Sequence, residues 1–233
     1  MNNLQQYSDL AGTWWDESGP FQDLIHLNPA RFEYFDRICS SWAQKNVLDL
    51  GCGGGFVSEE LARRGARVVG VDPSAPLLGV AKQHSLSGGL SIDYRVGTGE
   101  QIPAPDAAFD VVVCVDVLEH VADLEKVLKE VHRVLKPGGL FLYDTINRTA
   151  FSFAWMIVAL EWISGRIPRG THDWRKFIRP DDLTQMLSRS GFSPKGQVGI
   201  NIGSLEFTGL KLKPKFRLGS SMSGVYAGAA LRS

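Results

Sequence analysis

The chain has 233 residues, of which 44% are hydrophobic and 21% charged; this permits a full globular core and excludes a disordered or fibrous protein. Lys plus Arg equals Asp plus Glu at 25 each, so no whole-molecule field draws in nucleic acid, and attraction to an anionic surface must be local. The three cysteines, Cys39, Cys52 and Cys114, have neither metal nor redox spacing and read as reduced thiols of a cytoplasmic protein.

Residues Met1 to Gln6 show no basic stretch leading into an apolar run, so no secretion signal is expected. No segment reaches the roughly 18 to 20 apolar residues that span a bilayer. Residues 1–233 read as a single domain that opens with an aromatic-rich, helical cap over residues 1–45. From residue 46 to 147 short apolar runs alternate with amphipathic segments. Val47-Leu48-Asp49-Leu50 is a predicted strand, followed by glycines and a helix from about Phe56 to Arg64. Ala66 to Asp72 is a second strand, Ala75 to Gln83 a helix, and Ser91 to Val96 a third strand. Phe109 to Cys114 is a fourth, apolar and β-branched as a strand covered on both faces should be.

The clearest helix follows: Leu124, Val127, Leu128, Val131, Val134 and Leu135 share one face, Asp123 caps its start and Pro137-Gly138-Gly139 stops it. Leu140 to Thr145 is a fifth strand. Residues 148–178 break the rhythm, and 179–233 hold a closing helix near Arg179 to Ser190 and a tail, Gln197 to Arg232, that reads as an antiparallel hairpin. Strand–helix alternation implies right-handed crossovers and a mostly parallel sheet with helices on both faces.

The stretch Asp49-Leu50-Gly51-Cys52-Gly53-Gly54-Gly55 sits at the carboxyl end of the first strand, where parallel sheets bind ligands. Its glycines let the backbone turn tightly and approach a ligand closely. A dinucleotide fingerprint would put Gly or Ala where Phe56 stands, and a carboxylate at Asp49 would repel a pyrophosphate, which disfavours an NAD-dependent oxidoreductase. The same carboxylate attracts the ammonium and sulfonium of S-adenosylmethionine. Asp72, 23 residues after Asp49, suits a ribose diol, or else caps the helix that follows. Glu100 in Gly97-Thr98-Gly99-Glu100 is a candidate at the adenine edge, and Val115 is positioned to pack on the purine.

Asp49 to Gly55, Gly70-Val71-Asp72, Val117-Leu118-Glu119-His120-Val121 and Arg133 to Gly139 together resemble class I methyltransferases. Trp14-Trp15-Asp16, Leu27-Asn28-Pro29-Ala30-Arg31, Thr145-Ile146-Asn147-Arg148 and Pro168 to Ile178 extend the resemblance to the ubiquinone-biosynthesis O-methyltransferases. That likeness implies a Rossmann-like α/β fold with a seven-stranded sheet, and methyl transfer to a phenolic hydroxyl of a polyprenylated catechol-type ring. It also implies that Arg31 contacts the cofactor, where a guanidinium can hold the methionine carboxylate. Two departures stand out: Thr98 occupies a position that is Asp in many class I enzymes, and Ile200-Asn201-Ile202 replaces the family's Tyr-Asn-Pro. Another small aromatic or lipid acceptor is therefore the alternative substrate.

Methyl transfer from sulfonium to oxygen is mostly positioning, but a phenol still needs its proton removed by a base or a metal. Asp116, Glu119 and His120 fall at i, i+3 and i+4, on one face if helical. The resemblance implies that this set binds a divalent cation, and its donor chemistry suits Mg2+. Without a metal, His120 is the leading base and His172 the second candidate. A non-catalytic S-adenosylmethionine-binding protein is the reading from another class, and Asp116, Glu119 and His120 argue against it.

Phe151 to Ile163 is a strongly apolar run with Trp155 and Trp162, flanked by Arg148, Arg166, Arg169, Arg175, Lys176 and Arg179 against only Glu161 and Asp173. Apolar, Trp-containing helices with basic flanks lie in bilayer interfaces, so this insertion is expected to bind anionic lipid at the inner membrane surface and admit a lipid-like substrate. A lid over the active site, or an oligomer contact, is the competing expectation.

Overall fold

In the computed structural model, residues 8–16, 19–164, 168–208 and 211–233 are described. The predicted signal-free start, Met1 to Gln6, and the basic flank residue Arg166 lie outside them. Chain order runs from helix α1 (Gln22–Ile38) through β1 (Asn46–Leu50), α2 (Phe56–Arg63), β2 (Arg67–Asp72), α3 (Ala75–Ser87), β3 (Asp93–Val96) and β4 (Phe109–Cys114). Then come α4 (Leu124–Val134), β5 (Leu135–Ile146), α5 (Pro180–Arg189), β6 (Phe192–Thr208), β7 (Lys211–Gly219) and β8 (Val225–Arg232).

The described strands form one sheet of order β3-β2-β1-β4-β5-β8-β6-β7. Strands β1 to β5 pair in parallel, whereas β8 is antiparallel to both β5 and β6. The sheet has eight strands rather than the seven expected, because β6 runs on into an antiparallel hairpin with β7 before β8 returns to the middle. These strand and helix positions otherwise match the sequence reading, and the fold is Rossmann-like α/β.

Period-2 alternation along the strands sorts the core onto two faces. Leu48, Val112, Phe141 and Tyr143 pack with Val127, Leu128 and Val131 of α4 and with Leu183 and Leu187 of α5. Val47, Val111, Val113 and Leu142 point the other way, against Leu27, Ala30 and Phe35 of α1 and Val57 and Leu61 of α2. Asp123 caps α4 as read, accepting from the Lys126 N–H at 3.0 Å. The Pro137-Gly138-Gly139 stop is carried as an irregularity in the β4–β5 ladder, where pairing jumps from Phe109–Leu135 to Val111–Leu140.

Two local differences bear on function. Asp116, Glu119 and His120 do not share a helix face; they follow β4 in a turn closed by the His120 N–H on the Val117 carbonyl at 2.8 Å. The insertion begins with an α turn at Ala150–Ser152, whose start is fixed by a Thr149–Ser152 capping box, and continues as a π-helical stretch, Phe153–Ile163, hereafter the insertion helix. No helix among the described residues is long and apolar enough to cross a membrane. Strand order switches direction between β1 and β4, and the carboxyl ends of these two strands open the crevice that becomes the site.

Candidate active site

β1 ends at Leu50, and the chain must then reverse into α2. Gly51 turns with φ of +75° and lies so close to Val117 that a Cβ would come within 2.2 Å of its Cγ2. Gly53 turns with φ of +51° under the Trp14 ring, and a Cβ there would meet ring carbons at 2.6 Å. Trp15 donates its indole N–H to the Gly54 carbonyl at 3.0 Å and stacks on His84, so the two tryptophans strap the glycine turn. Gly55 takes a different part: it is the N-cap of α2 and stands outside the cavity lining.

One continuous cavity of about 1070 Å³ runs from this turn to the insertion helix. Its near end is lined by Asp49, Gly51, Gly53, Asp72, Val115 and Leu77, and its far end by Phe151, Trp155, Met156, Leu160, Ile200 and Ile202. Asp116, Glu119, His120 and His172 stand between the two ends. Topology thus gathers at one place residues far apart in the chain, Asp49 and His172 being separated by 123 positions.

Asp49 is buried on the α2 side of β1, where it accepts from the Ser58 hydroxyl at 2.6 Å. Burial raises its pKa to about 7, against the Ser58 bond that lowers it. Asp72 accepts from the Gly53 N–H at 2.9 Å and the Ser74 N–H at 2.8 Å, tying the glycine turn to the start of α3. Glu100 differs from expectation: its carboxylate accepts from the Ala122 and Asp123 N–H groups and braces the loop before α4, although the residue still borders the cavity.

Arg31 is ion-paired. Its guanidinium, buried to 1% exposure, donates from Nε to Asp144 and from Nη2 to Asp116, and from Nη1 to Asn28 at 3.2 Å. A fully buried Asp144 at the end of β5 demands a cation, and Arg31 on α1 supplies it while also lining the cavity. Burial alone would lower the Arg31 pKa, but Asp116 and Asp144 outweigh it and hold the group above its ordinary value. Burial raises Asp144 to about 6, with Arg31 pulling the other way.

Glu119 is also buried; it accepts from the Thr145 hydroxyl at 2.7 Å, and burial followed by repulsion from Asp116 raises its pKa to about 8. His120 is pushed down to about 3 by burial and then by its neighbours His172 and Lys176, so it stays neutral and is a feeble proton acceptor. His172 lies with its ring centre 5.4 Å from that of His120, and its Nδ1 is 2.8 Å from the buried Glu161 carboxylate.

These placements bear on the metal expectation. Among the described residues no group of three His, Cys, Asp or Glu side chains converges as a ligand set. Asp116 is paired with Arg31, and Glu119 favours its protonated form at neutral pH, so Asp116, Glu119 and His120 as arranged do not fit Mg2+. The sequence assigns no site role to three residues of consequence, Asp144, Glu161 and Lys176. Asp144 was signalled by an acid inside the apolar strand LFLYDTI, Glu161 by the lone acid of an apolar run, and Lys176 only by the motif around it.

Residues 48–143 match a methyltransferase domain family. The chain is similar to the ubiquinone biosynthesis O-methyltransferase of Methylobacterium sp. (strain 4-46), at 41% identity over 84% of each chain. It is likewise similar to the ubiquinone biosynthesis O-methyltransferase of Hahella chejuensis, at 44% identity over 80% of this chain and 79% of the other. Among solved structures it shares its fold with an S-adenosylmethionine-dependent methyltransferase of Thermotoga maritima, described as a possible histamine N-methyltransferase (TM-score 0.64, 18% identity, 99% and 98% covered). A second fold match is an S-adenosylmethionine-dependent methyltransferase of Aquifex aeolicus (TM-score 0.59, 16% identity, 85% and 89% covered).

Replacing Arg31 by Gln leaves two carboxylates facing each other, and is expected to cost about 3–5 kcal/mol of stability at pH 8. A raised carboxylate keeps in the folded state a proton that the unfolded chain has lost, so stability falls as pH rises from about 4 towards the Asp144 value of about 6. Without the guanidinium that decline continues to higher pH, and the gap to wild type should widen from pH 5 to pH 8. Urea unfolding across that range checks it; a gap that is the same at every pH would show that Arg31 does not compensate these charges.

Proposed function

The chain belongs to the ubiquinone biosynthesis O-methyltransferases, and on that premise we propose that it moves a methyl group from S-adenosylmethionine to a phenolic hydroxyl of a polyprenylated catechol-type ring. The observation that carries this reading is the single cavity with carboxylates and a glycine turn at one end and an apolar channel at the other. The near end fits the cofactor by its chemistry. Asp49 faces the cationic methionine portion, Asp72 keeps lone pairs for the ribose hydroxyls, and Val115 with Leu77 offers apolar walls to the purine. When bound, the cofactor supplies an electrophilic methyl whose bond to sulfur breaks as the bond to the phenolic oxygen forms, the electron pair staying on sulfur.

The residues between the two ends do the remaining work. His172 takes the phenolic proton, since His120 is too weak a base and Glu119 is protonated near neutrality. His120 packs beside the acceptor ring as a neutral imidazole, and Glu119 is available to donate a hydrogen bond there. Ile200, Asn201 and Ile202 line the acceptor end, so the family's Tyr-Asn-Pro position contributes here to the choice of ring substituents.

The insertion helix supports a lipid entrance. Trp155, Met156 and Leu160 line the cavity, while Phe153, Trp162 and Ile163 face outward, with Ile163 at 78% exposure. Large exposed apolar side chains on one helix are what an interfacial segment presents to a bilayer. The basic flank is thinner than its residue count, because Arg148 pairs with Asp182, Arg175 pairs with Asp173, and Lys176 turns inward to the Val121 carbonyl at 3.0 Å. Arg169 remains beside the apolar face, lying over the Trp162 ring. The helix therefore meets membrane chiefly by apolar insertion, with charge as a secondary attraction.

Incubation of the protein with methyl-labelled cofactor and a panel of prenylated and unprenylated catechols should label the prenylated rings preferentially; label on none of them would refute the proposed acceptor. Calorimetry on the empty site gives a second test. Below the Asp49 value of about 7, binding a cation must first expel a proton, so affinity should weaken roughly 20-fold from pH 7.5 to 5.5, and Asp49→Asn should flatten that slope. A flat wild-type profile would remove Asp49 from the cofactor contact. Co-sedimentation with anionic vesicles should carry down the wild type and leave the Trp162→Glu, Ile163→Glu double variant in solution; equal behaviour of both would count against the membrane assignment.

A further inference from the structure

The insertion helix carries one acid, and that acid points the wrong way for a lipid-facing surface. Glu161 is 1% exposed although Trp162 and Ile163 beside it are 59% and 78% exposed. Its carboxylate meets the loop opposite at three nitrogens: Oε2 accepts from the Gly170 backbone N–H at 2.8 Å, and Oε1 accepts from the His172 backbone N–H at 3.0 Å and lies 2.8 Å from the His172 ring Nδ1. A buried carboxylate is costly unless its lone pairs are filled, and all of these bonds go to residues 170–172.

We propose that Glu161 is a positioning residue for proton transfer at His172, holding the ring with Nδ1–H on the carboxylate so that Nε2 is the nitrogen that takes the phenolic proton. The inference rests on the reading of His172 as the base. A carboxylate on one ring nitrogen settles the tautomer, orients the ring and stabilises the imidazolium that forms when the other nitrogen is protonated. The histidine lines the cavity, its side chain is 8% exposed, and its ring is wedged between those of His120 and Phe177. The charged residue Lys176 is held on the His120 and Val121 carbonyls. The ring is thus confined by the neighbouring rings of His120 and Phe177 and by Glu161 at Nδ1. Because the carboxylate comes from the insertion helix, the base is correctly set only when that helix is docked over the cavity, which couples the apolar entrance to the chemistry.

A simple latch would make the same bonds, and two measurements separate the readings. In Glu161→Gln the amide oxygen can stand in for Oε1 and keep both His172 contacts, while the charge and the Gly170 bond to Oε2 are lost, so the ring stays oriented while support of the imidazolium is lost. With whichever acceptor the wild type methylates, kcat should fall about 100-fold, the lower end of what acid–base catalysis contributes, with the acceptor KM within about threefold and cofactor affinity unchanged. In the Glu161→Gln, His172→Gln double variant the loss should equal that of His172→Gln alone, since Glu161 acts through the ring. Nitrogen-15 NMR of the wild type should show His172 as the Nδ1–H tautomer. An Nε2–H tautomer overturns the proposal even if the Gln variant does not fold, and so does a loss confined to KM or one that adds fully in the double variant. Full kcat in His172→Gln, with the Nδ1–H tautomer intact, instead removes the underlying assignment of the base. Cofactor binding by calorimetry reports separately on the methyltransferase reading.

Discussion

The floor of the cavity is organised around one buried positive charge. Arg31 lies between Asp144, at the carboxyl end of β5, and Asp116, in the turn that follows β4, and it reaches them from α1. The guanidinium thereby joins the helix on one face of the sheet to the two strands whose carboxyl ends border the cavity. Asp144 in turn accepts from the Asp116 N–H at 2.8 Å, which holds Asp116 in a left-handed backbone conformation with φ of +55°. That turn sets the direction of the next four residues and so delivers Glu119 and His120 to the cavity. Strain at Asp116 persists because the ion pair and the backbone bond over-determine it.

Around this centre the charge balance of the pocket is acidic. Asp49, Asp72, Asp116, Glu119 and Asp144 stand at or beside the cavity, and Arg31 is shared by two of them. A field of that sign favours a ligand bearing an ammonium and a sulfonium over the thioether left after transfer, which has one positive charge fewer. The same electrostatics that draw in the donor therefore loosen the spent cofactor. Burial tempers the effect, since Asp49 near 7 and Glu119 near 8 keep part of the negative charge in reserve until a cation arrives.

Much of this was legible in the sequence, for physical reasons that differ by element. α4 was legible because a strict apolar stripe and an Asp cap agree, although the helix ends at Val134 and Leu135 with Pro137-Gly138-Gly139 belongs to β5. The glycine turn was legible because a crowded backbone leaves a compositional trace, and Gly51 and Gly53 prove to be crowded. What sequence reasoning missed were long-range pairings. Arg31 and Asp144 lie 113 positions apart, and local pattern cannot say that one neutralises the other. The i, i+3, i+4 spacing of Asp116, Glu119 and His120 suggested a shared helix face, but a tertiary constraint at Asp116 imposed a turn. The extra strand β7 was hidden in a Gly- and Pro-punctuated tail whose alternation fits a short hairpin as well as a long one.

The tryptophan strap has a consequence for the shape of the pocket. Trp14 covers Gly53 and Gly54, packs on Phe21 and Phe56, and forms part of the cavity wall, while Trp15 is pinned to the Gly54 carbonyl. The wall over the glycine turn is thus supplied by a short aromatic peptide outside the sheet, so the contour of this end of the cavity depends on how two indoles seat against the backbone of that turn.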